Sequence, residues 1–140
     1  MDRELFDAGI DARTRVLGPE YVERAFDSAD SFNMDFQEIV TEQCWGTVWG
    51  RSVLSDHQRS LNNLCILASL NRPTEFKVHF RGALRNGCTL DELRDTLIQI
   101  GVYAGVPAGV EAFRLAREVL VAEGITPAPA DRDARIDPDT

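Results

Sequence analysis

The chain is poor in cysteine, histidine and lysine, and it contains no long apolar run. Its three cysteines are Cys44, Cys65 and Cys88. The number is odd and no pair has CxxC spacing, which argues against a disulfide framework, a zinc site or a dithiol redox centre. All three read as small buried hydrophobes. No stretch reaches the ~18 consecutive apolar residues that a membrane-crossing helix needs. The opening residues, MDRELFDAGIDARTR, mix both signs of charge and lack the apolar segment of a secretory signal, so a cytoplasmic protein is expected. Basic residues are outnumbered, 15 against 23 acidic ones, for a net charge of −8. That balance disfavours nucleic acid and anionic membranes as partners. Lys77 is the only lysine. The other basic residues are arginines, the better bidentate grip for a carboxylate.

What is present is helical. Hydrophobic residues make up 44% of the 140, enough for one domain with its own core. No segment alternates with period two over a useful length, and apolar residues recur at helical spacing throughout. Start and stop signals divide the chain. Gly18 closes a first helix and Pro19 opens the second. MDFQEIVTEQCWGTVWGR has Phe36, Ile39, Val40, Gln43 and Cys44 at a 3.6-residue period, which predicts an apolar face there. Ser55 or Asp56 caps a helix with Leu61, Leu64, Cys65 and Ala68 on one stripe. Pro73 starts another with Phe76, Phe80, Ala83 and Leu84 facing inward, and Gly87 stops it. Thr89 and Glu92 have capping-box spacing. Gly105 and Pro107 separate the last two helices, and Gly124 ends the final one. The expected architecture is an all-α, single-domain bundle of about seven helices over residues 1–124. A flexible acidic tail is expected over 125–140. The helix over 90–103 is apolar on several sides, which predicts burial in a core or between subunits.

The stretch EFKVH places Glu75 one helical turn before His79, one of only two histidines. Spacing alone fits a solvated surface pair. It also fits a histidine acid–base whose tautomer and charge are set by the carboxylate, which would favour imidazolium. The same stripe continues through Gly82 and Asn86. A mid-helix glycine costs about 1 kcal/mol relative to alanine, so a ligand or a neighbouring helix is expected to approach the backbone there. Lys77 points away from this face. WGTVWGR sets Trp45 and Trp49 one turn apart with Arg51 beyond them, either as core aromatics or as a pocket wall with an arginine at its rim. Glu42 lies one turn before Trp45. Arg59 borders an apolar stripe with Asn62 and Asn63 nearby, either as a surface residue or as a grip for an anion. His57, in a polar run, reads as a surface residue.

Taken in order, FQEIVTEQCWGTVWGR, RSL, EFKVHFRGALRNG and YAGVPAG resemble the carboxymuconolactone decarboxylase family over residues 13–120. The resemblance implies an all-α, alkyl hydroperoxidase D-like fold assembled as a trimer or hexamer. Peroxidase relatives of that fold carry CxxCxxxH. Here the cysteine positions hold Arg72 and Glu75, so thiol peroxidase chemistry is not implied. The implied reaction is loss of CO2 from γ-carboxymuconolactone in the protocatechuate branch of the β-ketoadipate pathway. The substrate's conjugated lactone carbonyl is its own electron sink, so no cofactor and no metal is required. On this reading His79 is proton donor or oxyanion partner, Glu75 orients it, and Arg59 and Arg51 hold carboxylates. Trp45 and Trp49 exclude water, and Glu42 lies near them. The partner is a small dicarboxylate lactone. After GVPA the family's decarboxylases usually continue Ala-Asn, where this chain has Gly109 and Val110. More apolar residues would also be expected at Asn62 and Asn63. Both differences bear on the substrate, and the alternatives are a paralogue that decarboxylates, isomerises or hydrolyses a different carboxylated lactone or catabolic intermediate, or a non-catalytic oligomeric binding protein.

Overall fold

The computed structural model describes residues 1–131, and the described residues contain helices and no strands. The elements are α1 (Arg3–Leu17), α2 (Pro19–Asp27), α3 (Met34–Ile39), α4 (Asp56–Ser69), α5 (Pro73–Arg85), α6 (Leu90–Tyr103) and α7 (Val106–Ala122). Between α3 and α4 the chain runs on into a π-helix, Val40–Val48. The expected all-α bundle is therefore what the chain forms.

The punctuation works as the residue types require. Gly18, Gly87, Gly105 and Gly124 all take positive φ at helix ends, a conformation open to glycine at little cost. Ser55 accepts from the Gln58 amide, and the Gln58 side chain returns to the Ser55 backbone. Thr89 and Glu92 form the same reciprocal box. Each box satisfies donors that the first turn leaves orphaned.

Two cores result. The larger joins α4 to α7 through Leu64, Phe76, Phe80, Leu93, Leu97 and Val119, among others. The smaller holds Ala12 and Val16 of α1 against Trp45 and Trp49. Glycines let the backbones meet. A methyl group on Gly9 would stand 2.0 Å from the Thr41 carbonyl oxygen, and one on Gly46 would stand 2.4 Å from that of Leu5. At the α6–α7 crossing, a methyl on Gly109 would lie 2.7 Å from the Cα of Gly101.

The stripe expected at Phe36, Ile39 and Cys44 is corrected by the structure. Phe36, Ile39 and Cys44 are exposed, and Thr41, Trp45, Gly46 and Trp49 face inward. A π-helix does not keep a 3.6-residue period, and the two Gly contacts with α1 choose which side is buried. The helix expected to be apolar all round divides as well. Leu93, Leu97 and Ile100 are buried, whereas Ile98, Val102 and Tyr103 are exposed. Of the tail expected over 125–140, Ile125 packs on the larger core, and 132–140 lies outside the described residues.

Candidate active site

The π-helix, α4 and α5 meet at one cluster of aromatic and polar side chains. The π-helix supplies Trp45, and Trp49 is the residue that follows its last turn. Their indoles stack with centroids 5.0 Å apart. The Trp49 amide donates to the Cys44 carbonyl five residues back, at 3.2 Å. From α5, the imidazole of His79 lies parallel to both indoles, 6.0 Å from Trp45 at 5° and 6.2 Å from Trp49 at 16°. Both tryptophans are only 4% exposed. They are core residues, and they also stack against the imidazole.

Burial controls the charge of His79. Desolvation by its surroundings pushes the imidazole down to about 4, against a weaker upward pull from the Glu75 carboxylate. The histidine is therefore neutral at neutral pH, contrary to the imidazolium that Glu75 alone would favour. No hydrogen bond joins the two side chains. Glu75 is exposed, and the Nδ1 of His79 is instead 3.4 Å from the Asn63 side-chain nitrogen on α4.

Arg59 stands one turn before Asn63 on the same face of α4, about 6 Å along the helix axis. Its Nη2 donates to the Arg51 carbonyl at 3.2 Å, which ties the guanidinium to the chain just after Trp49. Its Nε is buried and has no partner. A buried cationic donor without an acceptor is costly, and a carboxylate oxygen would satisfy it. Arg13 has the same orphaned Nε, but it is explained otherwise. Its guanidinium lies over the Tyr21 and Phe26 rings and donates to Gln37 and Thr41.

The remaining expected residues fall around this cluster. Arg51 is exposed and contributes its carbonyl. Glu42 is partly buried and accepts from Gln43 at 3.0 Å. Gly82 answers to a neighbouring helix, since a methyl there would lie 3.3 Å from the Val16 carbonyl oxygen. Asn86 donates to the buried Ser60 hydroxyl at 2.9 Å. Lys77 pairs with Glu118 on α7 at 3.1 Å, away from the site. Gly109 is required by the α6–α7 crossing and Val110 is exposed, so packing accounts for the glycine in the Gly-Val difference.

Sequence reasoning missed three residues. Arg13 braces α1 on Gln37 and Thr41, and nothing in its local pattern marks it as buried. Asn63 stands in the sequence as a neighbour of Arg59 and a polar residue where an apolar one is expected, and that departure is the available signal for its contact with His79. His57 is not merely a surface residue. It meets the Glu92 carboxylate at 2.8 Å and so ties the start of α4 to the cap of α6. Cys88 lies beside that pair, and the three side chains bring potential metal-ligating atoms within 4.8 Å of one another. Hydrogen bonds already engage them, because Glu92 also caps Thr89 and the thiol donates to the His57 carbonyl. Burial first, then Glu92, pushes the Cys88 thiol up to about 11, far from a reactive thiolate. Cys44, expected inside, is exposed.

Known proteins show the same pattern of similarity. The model of the carboxymuconolactone decarboxylase family matches residues 34–118. The chain is 37% identical over 132 residues to a 4-carboxymuconolactone decarboxylase of Acinetobacter baylyi, covering 94% of this chain and 98% of that protein. It is 41% identical over 120 residues to the nitrosuccinic acid decarboxylase npaB of Metarhizium robertsii, covering 86% of this chain and 84% of that one. The family match runs from the start of α3 into α7 and takes in the tryptophan pair, Arg59 and His79, so the chain belongs to the carboxymuconolactone decarboxylase family.

Proposed function

We propose that the protein decarboxylates 4-carboxymuconolactone to the β-ketoadipate enol-lactone without a cofactor, in the cytoplasm, as a homo-oligomer. The observation that carries this reading is the buried, unpartnered Nε of Arg59 one turn from the residue that meets His79. An anionic substrate supplies the missing acceptor there. In the reaction the C–C bond to the leaving carboxylate breaks and CO2 departs. The electron pair moves through the double bond into the lactone carbonyl as a dienolate, and a carbon takes up one proton.

Each part of the site has a task in that sequence. Arg59 holds a carboxylate, with Arg51 at the rim. A neutral His79 donates a hydrogen bond to the developing oxyanion, a role for which a dry, fixed donor is effective. Trp45 and Trp49 keep water away from it. Glu75, exposed beside the site, relays a proton from solvent. Glu42 is a lesser contact near the tryptophans. Homo-oligomerisation, as a trimer or hexamer, is supported by exposed apolar stripes on the α6–α7 hairpin. Ile98 and Val102 form one, and Val106, Val110 and Phe113 form the other.

A second reading is favoured by the 41% identity to a nitrosuccinic acid decarboxylase. A nitro group next to the leaving carboxylate is also an electron sink, and the same arginine and histidine would serve it. One experiment separates the two. Purified protein is given 4-carboxymuconolactone or nitrosuccinate, and substrate absorbance and released CO2 are followed. Turnover of the lactone supports the first reading. Turnover of nitrosuccinate alone supports the second, and turnover of neither overturns both. Full activity in His79→Ala would remove the histidine from the mechanism.

A further inference from the structure

The imidazole of His79 is fixed in orientation by the two indoles that lie parallel to it. What remains free is which ring nitrogen bears the hydrogen. Glu75 does not decide this, because it makes no hydrogen bond to the ring and is exposed. The polar group that reaches the ring is the partly buried Asn63, whose side-chain nitrogen is 3.4 Å from Nδ1. Asn63 stands beside the apolar stripe of α4, where Leu64 is fully buried. An amide withdrawn from water there is unfavourable unless it finds a partner.

We propose that Asn63 is the positioning residue for His79: its amide N–H donates to Nδ1 and confines the imidazole hydrogen to Nε2. The inference deepens the decarboxylase reading and rests on it for its catalytic meaning. With Nδ1 occupied as an acceptor, Nε2–H is the ring's one donor. Nε2 has no protein partner among the described residues, and on the decarboxylase reading it is the atom that meets substrate. A ring with the opposite tautomer would present a bare Nε2, which repels an oxyanion instead of binding it. Had the Asn63 amide been turned over, its oxygen would accept from Nδ1–H and the role of the ring would reverse. The side-chain choice at this position thereby decides between an oxyanion donor and a base.

The test reads the tautomer directly. Protein labelled with 15N at histidine gives separate Nδ1 and Nε2 resonances for the two rings, and His57→Gln assigns them. At pH 8 without substrate, His79 is expected as the Nε2–H form in the wild type. Asn63→Asp, which offers Nδ1 only acceptors, is expected to move the neutral ring to Nδ1–H. An Nδ1–H wild type, or a tautomer unchanged in Asn63→Asp, overturns the proposal. In turnover, Asn63→Asp is expected to lower kcat by about 10²- to 10⁴-fold, the scale of a wrong-tautomer histidine, with KM little changed. A variant with the shifted tautomer and wild-type kcat overturns the catalytic role. The resonances need no substrate, so failure of the decarboxylase reading would leave this measurement standing.

Discussion

At the scale of single residues, His79 links site and stability. Its imidazole falls from 6.5 to about 4 on folding, so the unfolded chain binds this proton more readily than the folded one. The stabilisation is fully present above the unfolded value of about 6.5 and is lost as pH falls through about 4. The difference is on the order of 3 kcal/mol at 1.36 kcal/mol per unit. Urea denaturation of wild type and His79→Gln at pH 7.5 and pH 4.5 should show it. The wild type is expected to lose more stability than the variant between these conditions, and parallel losses would contradict it. Arg59 makes a separate prediction. Arg59→Lys keeps the charge but not the planar fork, and is expected to raise KM at least tenfold while leaving the fold intact by circular dichroism. Glu75→Gln should change turnover less than His79→Ala does, because the carboxylate makes no hydrogen bond to the ring. The spacing of Glu75 and His79 was legible in the sequence. That Asn63, 16 positions before His79, takes the place expected for Glu75 was not, because the contact depends on how α4 crosses α5.

At the scale of elements, glycine sets the geometry that holds the site. Alanine at Gly9 would gain up to about 1 kcal/mol in helix propensity. Its methyl would also stand 2.0 Å from the Thr41 carbonyl oxygen, and forcing apart a packed contact typically costs about 1–3 kcal/mol. The clash is with backbone, so it wins. Gly9→Ala is expected to lower the unfolding midpoint and to loosen the π-helix that carries Trp45 and leads into Trp49, visible as a change in the near-UV circular dichroism of the tryptophans. Gly109→Ala should destabilise for the same reason, since its methyl would meet Gly101 at 2.7 Å. The caps were readable from residue types, because a serine or threonine with Gln or Glu three positions on satisfies local donors. The π-helix was not, because its register depends on α1. There the Thr41 hydroxyl turns back to the Gln37 carbonyl at 2.7 Å while Arg13 donates to it.

At the scale of the whole molecule, two cores meet around His79 and an apolar face is left outside. Tyr103 is 86% exposed and Val102 is 74% exposed. In the proposed homo-oligomer, neighbouring apolar residues of that kind would lie beneath another subunit. Val102→Asp is expected to shift the protein toward monomer in light scattering, while circular dichroism remains that of a helical fold. An assembly unchanged by the substitution would place the subunit contact elsewhere.

The sequence by itself determined the all-α class, most helix boundaries, the inward face of α5 and the family. Each depends on residue type at short spacing, where caps, prolines, glycines and helical periodicity act within a few residues. Tertiary structure decided which side of the π-helix is buried, that Gly82 serves a helix contact and that Arg13 is interior. It also decided that His79 is neutral and held by Asn63 from a different helix. These outcomes depend on desolvation and on contacts between elements distant in the chain, which local spacing does not encode.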